Sequence, residues 1–295
     1  MTGIAPKVAG VVVLYECDAN IVANLATYAD DLDALVIVDN SAAWTPAAEA
    51  AAAAHRHGTY VFNGANLGVA AALNIGVARA RAAGASFLLT MDQDSSFDAV
   101  PFRTFRDLVL ALPFLDELAV AAPVFEGAPA APDGPVAVDS DTVITSGSIV
   151  NLANQARVGP FDERLFIDEV DHDFCLRARD AGLRVVAVPS VRLCHRLGQP
   201  GTVSLLGHTL RWSVHGPVRH YYMVRNGLYM LGKHRRRHRA YGLRRIARAG
   251  RTVAAALLLA PGRRARFRLV LRAVADYRAG RMGPLGAAPG FPAAP

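Results

Sequence analysis

With 295 residues, 52% of them hydrophobic and only 19% charged, the chain can bury a full core, which excludes an intrinsically disordered protein. Its net charge of +7 is unevenly placed. Lys233 to Arg281 carries 16 basic residues against one acid, Asp276, and the remainder carries 16 basic against 24 acidic. Cys17, Cys175 and Cys194 fit neither a disulfide framework nor a spaced zinc site, so a reducing cytosol is expected. Gly10 to Leu14 is too short for a secretory signal, and Val253 to Ala260 falls far below the roughly 20 apolar residues that cross a bilayer.

In chain order, Val11 to Leu14 reads as a strand and Ile21 to Tyr28 as a short helix. Leu35 to Val38 forms a second strand that ends at Asp39-Asn40-Ser41. An Ala-rich helix from Pro46 to His57 starts on its proline and stops at Gly58, before a strand at Tyr60–Phe62. The loop Asn63 to Gly68 leads to a helix over Val69–Ala83 with Gly84 as C-cap. Ser86 to Met91, apolar enough for burial on both faces, is a central strand and delivers Asp92-Gln93-Asp94-Ser95 at its carboxyl end. Four strands alternating with helices predict a parallel, doubly wound α/β sheet. A helix near Val100–Leu112 and a strand near Ala119–Pro123 follow. Gly127 to Pro135 is a surface loop or lid, and Thr142–Thr145 and Ser148–Val150 are strand segments flanking Ser146-Gly147. A helix opens on Phe166–Asp173 and runs to Ala181, with a strand after it from Arg184 to Val188 that ends at Pro189. From Pro217 the pattern is helical, and Gly283 to Pro295 reads as disordered.

The carboxyl edge of a parallel sheet is where ligands bind. Asp39, Asn63, Asn66, Asp92 and Asp94 all fall at strand ends, on that one edge. Asp92 and Asp94 suit a hard divalent cation carrying nucleotide phosphates, or else an ordinary polar turn. Asp39 can accept hydrogen bonds from a base or ribose, or form an Asx-turn. Asn63 to Gly68 lacks the glycines and lysine of the common phosphate loops. Asp168, Glu169, Asp171 and Asp173 gather at a helix start, where the dipole alone would favour them. One of them, packed near Leu165-Phe166-Ile167, could act as a general base, although Asp173 can simply pair with Arg177. His195, and less so His172, could add a metal ligand.

Together these positions resemble the inverting GT-A glycosyltransferases of family 2, and within them the bacterial rhamnosyltransferases that use dTDP-L-rhamnose. The resemblance spans roughly residues 8 to 230. It rests on Val38-Asp39-Asn40-Ser41, Asn66-Leu67-Gly68 with Asn74 and Gly76, and Met91-Asp92-Gln93-Asp94-Ser95. Downstream it continues through Ser146-Gly147, Gly159-Pro160-Phe161-Asp162-Glu163, Phe166 to Arg177, His195 with Gly198, and Tyr221-Tyr222 with Arg225-Asn226. The resemblance implies a GT-A fold, Rossmann-like and mostly parallel with helices on both faces, followed by a helical basic C-terminal segment. It implies that Asp39, Asn66, Gly68 and Asp92 hold the nucleotide, and that Asp92, Asp94 and His195 hold Mg²⁺ or Mn²⁺. Asp171 would be the base that activates the acceptor hydroxyl, although the family often has Glu-Asp where this chain has Val170-Asp171. The expected divisions are a nucleotide-sugar half (1–125), an acceptor and catalytic half (126–215), a basic helical region (216–282) and a tail (283–295).

The function expected from this is transfer of L-rhamnose to a glycan or lipid-linked glycan in cell-surface polysaccharide synthesis. The alternatives are a UDP- or GDP-sugar donor, or a non-catalytic membrane-binding module on a degenerate nucleotide fold. A nucleotidylyltransferase is disfavoured, because Tyr15-Glu16-Cys17-Asp18 is no Gly- and Arg-rich phosphate loop. The arginines among Leu243, Ile246, Val253 and Leu257, and again among Phe267, Leu269, Val270 and Leu271, read as a basic amphipathic surface for anionic lipid. Nucleic acid is not expected as a partner, since the basic stretch lacks interleaved aromatics. The expected location is cytoplasmic, peripheral at the inner face of the plasma membrane.

Overall fold

Seven consecutive buried residues, Val8–Leu14, make β1, which shows no polar alternation because both of its faces are covered. The computed structural model describes residues 6–17, 20–125, 134–195, 200–205, 208–213 and 215–286, with the side chains of 195 and 200–213 outside that description. Two compact units are present: Met1–Glu163 with Val170–Arg196, and Arg164–Glu169 with Leu197–Pro295.

In the first unit, α1 (Ile21–Leu25) follows β1 and stops earlier than expected, giving way to a 3₁₀ turn at Ala29–Asp31. Then come β2 (Ala34–Asp39), α2 (Pro46–Ala54), β3 (Gly58–Phe62), α3 (Val69–Ala82) and β4 (Phe87–Asp92). The order β3-β2-β1-β4 is parallel throughout, so the carboxyl ends of these strands share one edge. α3 lies tightly on β1: a Cβ on Gly76 would sit 2.6 Å from Val11 Cβ, so only glycine fits.

Beyond β4 the sheet becomes mixed. The next elements are β5 (Ser95–Ser96), α4 (Phe102–Leu110), β6 (Leu118–Phe125), β7 (Val138–Asp139), β8 (Ser148–Asn151), α5 (Leu152–Val158), α6 (Val170–Asp180) and β9 (Arg184–His195). β8 inserts antiparallel between β4 and β6, and β6 pairs parallel with β9. Because two antiparallel steps restore direction, β6 and β9 run the same way as β4. The expected strand at Thr142–Thr145 is not formed. Instead Thr90 Oγ1 donates to the Thr145 carbonyl at 2.6 Å, and Gly147, at φ 77°, donates its amide to Thr90 O at 2.8 Å. β9 does not end at Pro189 either. Val188 pairs with Pro123 and Arg192 with Val124, so Pro189, Ser190 and Val191 bulge out, which accommodates a residue without an N–H. The core is a continuous cluster that includes Val12, Leu14, Ile37, Leu89, Met91, Phe102, Phe105 and Leu118, each contributing about 1.5–3 kcal/mol by burial.

The second unit contains a hairpin, β10 (Pro200–Leu205) with β11 (His208–Ser213), and the helices α7 (Pro217–Lys233), α8 (Arg239–Leu259) and α9 (Arg263–Arg278). Phe166, Tyr221, Tyr222, Leu269, Ala273 and Leu285 form its core. Arg225 is fully buried there. Its guanidinium lies 5.2 and 5.0 Å from the rings of Tyr221 and Tyr222 and donates to Gly283 O at 2.6 Å. Gly283 and Leu285 of the expected tail are therefore held against the unit, with the Leu285 amide donating to Tyr222 Oη at 2.7 Å; residues 287–295 lie outside the description, as does most of the expected lid at Gly127–Pro135. Among the described residues, no helix is long and apolar enough to cross a membrane.

Candidate active site

Hydrogen bonds knit together the shared carboxyl edge of β1, β2, β3 and β4. Asp39, at the end of β2, is fully buried: Oδ1 accepts the Ser41 amide at 2.8 Å and Oδ2 accepts the Tyr60 hydroxyl at 2.6 Å. Burial alone would push this carboxyl up, but the hydrogen bonds from Ser41, Thr45 and Tyr60 outweigh it and hold Asp39 below the usual carboxylate range. Asn63 Nδ2 donates to Asn40 Oδ1 at 2.9 Å, and Asn40 Nδ2 donates to Gly68 O at 3.1 Å. Asn66 Oδ1 in turn accepts the Gly68 amide at 2.9 Å. The loop after β3 is thus fastened to the end of β2, which brings Asp39, Asn66 and Gly68 into one network. Trp44, half exposed, packs edge-on against Tyr60 and Phe62 at 5.0 and 5.1 Å between centroids, so an aromatic surface stands beside Asp39.

At the end of β4 the three residues of Asp92-Gln93-Asp94 divide their tasks. Gln93 is structural: Oε1 accepts the Tyr15 amide at 2.8 Å, Nε2 donates to Tyr15 O at 3.1 Å, and its own carbonyl accepts Asn24 Nδ2 at 2.7 Å. Asp92 and Asp94 remain partly exposed on either side of it. The Asp92 amide donates to Ser146 Oγ at 3.1 Å, and Ser146 Oγ donates to the buried Ser95 Oγ at 2.7 Å. Strand pairing sets the backbone of His195 opposite Ser95, one residue from Asp94. Two carboxylates and an imidazole are a donor set suited to Mg²⁺ or Mn²⁺. Among the described residues no three His, Cys, Asp or Glu side chains converge on a metal site, the His195 side chain lying outside that description. Burial, together with the charge of Asp92, pushes the Tyr28 phenol up, and its oxygen has no hydrogen-bond partner among the described residues.

Of the four acids around the start of α6, three are committed to arginines. In the helical unit Asp168 meets Arg219 at 2.7 Å, and the buried Glu169 meets Arg245 at 2.6 Å. In the sheet unit Asp173, fully buried, meets Arg177 at 2.8 Å, and Arg177 also donates to Val158 O and Pro160 O. Among the described residues Asp171 has no arginine partner; its Oδ1 accepts the His172 amide at 2.8 Å and its side chain is 22% exposed. α6 packs on β6 and β9 and returns through 181–183 into β9. Its first turn, with Asp171, therefore stands at the edge where β9 and β4 end.

The backbone marks the same two places. Glu16, just after β1, and Phe166, Asp168 and Glu169 are the described non-glycine residues in the left-handed region, at φ 44°, 63°, 63° and 68°. Such strain persists where surroundings over-determine it, and it concentrates at functional sites. The restraint on 166–169 comes from Asn226, whose Nδ2 donates to Leu165 O at 2.7 Å and Ile167 O at 2.6 Å. Local sequence carries no sign of this clamp, nor of the Tyr60–Asp39, Ser146–Ser95 and Gln93–Tyr15 pairings, all of which join residues far apart in the chain.

Residues 11–100 match the family model for Glycosyl transferase family 2. Over 192 residues the chain is 30% identical to the dTDP-rhamnosyl transferase RfbF of Shigella flexneri; this covers 58% of the chain and 62% of that relative's length. Among solved structures, Staphylococcus aureus TarS (residues 1–349) superposes with a TM-score of 0.54 at 16% identity, covering 92% of this chain and 80% of that one. GalNAc-T7, solved with UDP, GalNAc and Mn²⁺, gives 0.54 at 13% identity over 64% of this chain and 44% of its own. At such identities the likeness is one of fold, and the fold is GT-A.

Proposed function

We propose that this chain, whose residues 11–100 match the model for Glycosyl transferase family 2, is a metal-dependent inverting transferase. On this reading it moves L-rhamnose from dTDP-L-rhamnose to a hydroxyl of a glycan or lipid-linked glycan. The observation that carries the reading is the division of acids at one sheet edge: Asp92 and Asp94 partly exposed near buried Asp39, and Asp171 alone among its acidic neighbours without an arginine among the described residues. The choice of donor sugar is supported by the 30% identity to a dTDP-rhamnosyl transferase.

In this mechanism Asp39, Asn66 and Gly68 shape the nucleoside pocket, and Trp44 offers a face for the base. Asp92, Asp94 and His195 would hold the divalent cation, which supplies Lewis-acid neutralisation of the departing diphosphate. Asp171 accepts the proton of the acceptor hydroxyl as its oxygen bonds to the anomeric carbon and the bond to the diphosphate breaks. One displacement inverts the anomeric centre. Arg219 and Arg245 hold Asp168 and Glu169 as ion pairs, which leaves the base role to Asp171. The basic helices α8 and α9, with exposed Leu243, Leu258, Phe267 and Leu271, are read as a peripheral contact with anionic lipid at the inner face of the plasma membrane.

The test is donor turnover with dTDP-rhamnose, UDP-sugars and GDP-sugars, each with Mn²⁺, Mg²⁺ or chelator. The dTDP donor is expected to turn over only with metal, and Asp94→Ala is expected to lose on the order of a thousandfold, the equivalent of several kcal/mol of transition-state stabilisation. Preference for a UDP- or GDP-sugar would overturn the donor assignment, and full activity in chelator would overturn the metal.

A further inference from the structure

The helical unit carries an open cavity of about 390 Å³ that the transfer reading leaves unused. One wall is a single face of α8, where Arg245, Arg248, Arg251, Thr252 and Ala255 recur at helical spacing; Arg219 and Met223 of α7 and the loop residue His215 line it from other sides. Four guanidinium groups therefore open onto one small space. The chain neutralises two of them, Arg219 through Asp168 at 2.7 Å and Arg245 through Glu169 at 2.6 Å. Among the described residues Arg248 and Arg251 make neither ion pair nor hydrogen bond, and both are exposed. Burial first, then the charges of Arg219 and Arg248, push the His215 imidazole down, so the two arginines act on the same ring.

Unpaired like charges repel, and a concave wall concentrates their field on whatever enters. Guanidinium forks match phosphate oxygens two at a time, and the volume lies in the range of small-ligand sites. The surroundings indicate the source of the phosphate. Ala255 at the cavity wall precedes Leu258 and Leu259 by about one helical turn, and these leucines are 70% and 40% exposed. On α9, Phe267 and Leu271 are 53% and 54% exposed. Apolar side chains held in water beside an anion site are what a lipid headgroup with its chain requires. We propose that this cavity is a phosphate- or diphosphate-binding site for a membrane-lipid headgroup, with Arg248 and Arg251 as its ligands.

The full chain, without nucleotide, is titrated with inorganic diphosphate by calorimetry. It is also sedimented with phosphatidylcholine vesicles, with and without phosphatidic acid. Arg248→Ala/Arg251→Ala is compared with the charge-matched Arg264→Ala/Arg268→Ala, whose arginines are exposed on α9 and do not line this cavity. The cavity pair is expected to weaken diphosphate binding at least tenfold and to lower retention on phosphatidic-acid vesicles, while the control pair leaves diphosphate binding unchanged. Equal losses of diphosphate binding in both pairs, loss in neither, or no diphosphate binding by the wild type would overturn the site. Loss of diphosphate with unchanged vesicle retention would overturn the lipid as its source. No sugar nucleotide enters either arm, so the outcome is independent of the transfer reading.

Discussion

Tyr60 on β3 donates its hydroxyl to Asp39 on β2 at 2.6 Å, and the same oxygen accepts the Thr45 amide at 3.2 Å. A buried acid at the sheet edge is thereby kept ionised by a neighbour on the adjacent strand.

Tyr60→Phe removes that donor, and Asp39 should rise from its depressed value. An acid with a lowered folded pKa stabilises the protein above its unfolded value, and that contribution is lost as pH falls through the folded one. The variant should therefore lose about 1.5–3 kcal/mol at neutral pH. The gap to wild type should narrow as both are acidified below pH ~4. Urea unfolding at several pH values measures it; a constant gap would count against the role of Tyr60.

Asp171→Asn should lower kcat on the order of 10²–10⁴-fold while leaving donor KM near its wild-type value. Steady-state kinetics with saturating acceptor make the distinction. A raised KM with normal kcat would turn Asp171 into a binding residue and send the base role elsewhere.

Asn226→Ala strips the donor from Leu165 O and Ile167 O, both held in the helical unit. Two under-satisfied carbonyls, and release of the left-handed residues Phe166, Asp168 and Glu169, should cost about 2–4 kcal/mol. Hydrogen exchange should show amides 165–169 opening faster than the rest of the unit. Unchanged exchange there would mean that the clamp restrains nothing.

His220 is fully buried, with Nδ1 3.0 Å from Arg266 and its ring 6.3 Å from His215. Burial first, then the charges of Arg266 and His215, push its imidazole down to about 4. Between that value and the ordinary one near 6.5, the unfolded chain binds a proton that the folded chain refuses. Stability should therefore fall as pH drops from about 6.5 to 4, by on the order of 3 kcal/mol. His220→Gln should flatten that part of the profile in denaturant titrations at pH 7, 6, 5 and 4; an unaltered slope would assign the loss to other groups.

Much of the shared carboxyl edge was legible because the strands that build it are buried on both faces. Val8–Leu14, Ala34–Asp39 and Phe87–Asp92 contain few polar residues until the strand ends, so their termini could be placed at Asp39 and Asp92. The second half was less legible because its signals are tertiary. Thr142–Thr145 has β-branched residues that favour a strand, but Thr90 Oγ1 takes the Thr145 carbonyl before a ladder can. Pro189 reads as a terminus, whereas β9 absorbs it in a bulge and continues to His195. A four-residue strand such as β8 carries no mark of its direction, and its antiparallel insertion cannot be read locally. The start of α6 was placed early, at Phe166, because its acids look like a first turn; left-handed angles at Phe166, Asp168 and Glu169 delay it to Val170. Asn226 imposes those angles from about sixty positions away, as the hydrogen bonds to Leu165 and Ile167 record.

The clasp of β8 between β4 and β6 also sorts the chain into parts that evolution can lengthen and parts it cannot. Extra residues at 134–137, ahead of β7, are absorbed upstream of Thr145, since Gly147 and Thr90 set the turn anew at the sheet. One residue added between Thr145 and Ser148 has no such outlet: pleat alternation would invert β8 and draw Ser146 off the Asp92 amide. Homologues should thus carry their insertions before Thr145 and keep the short interval behind it constant.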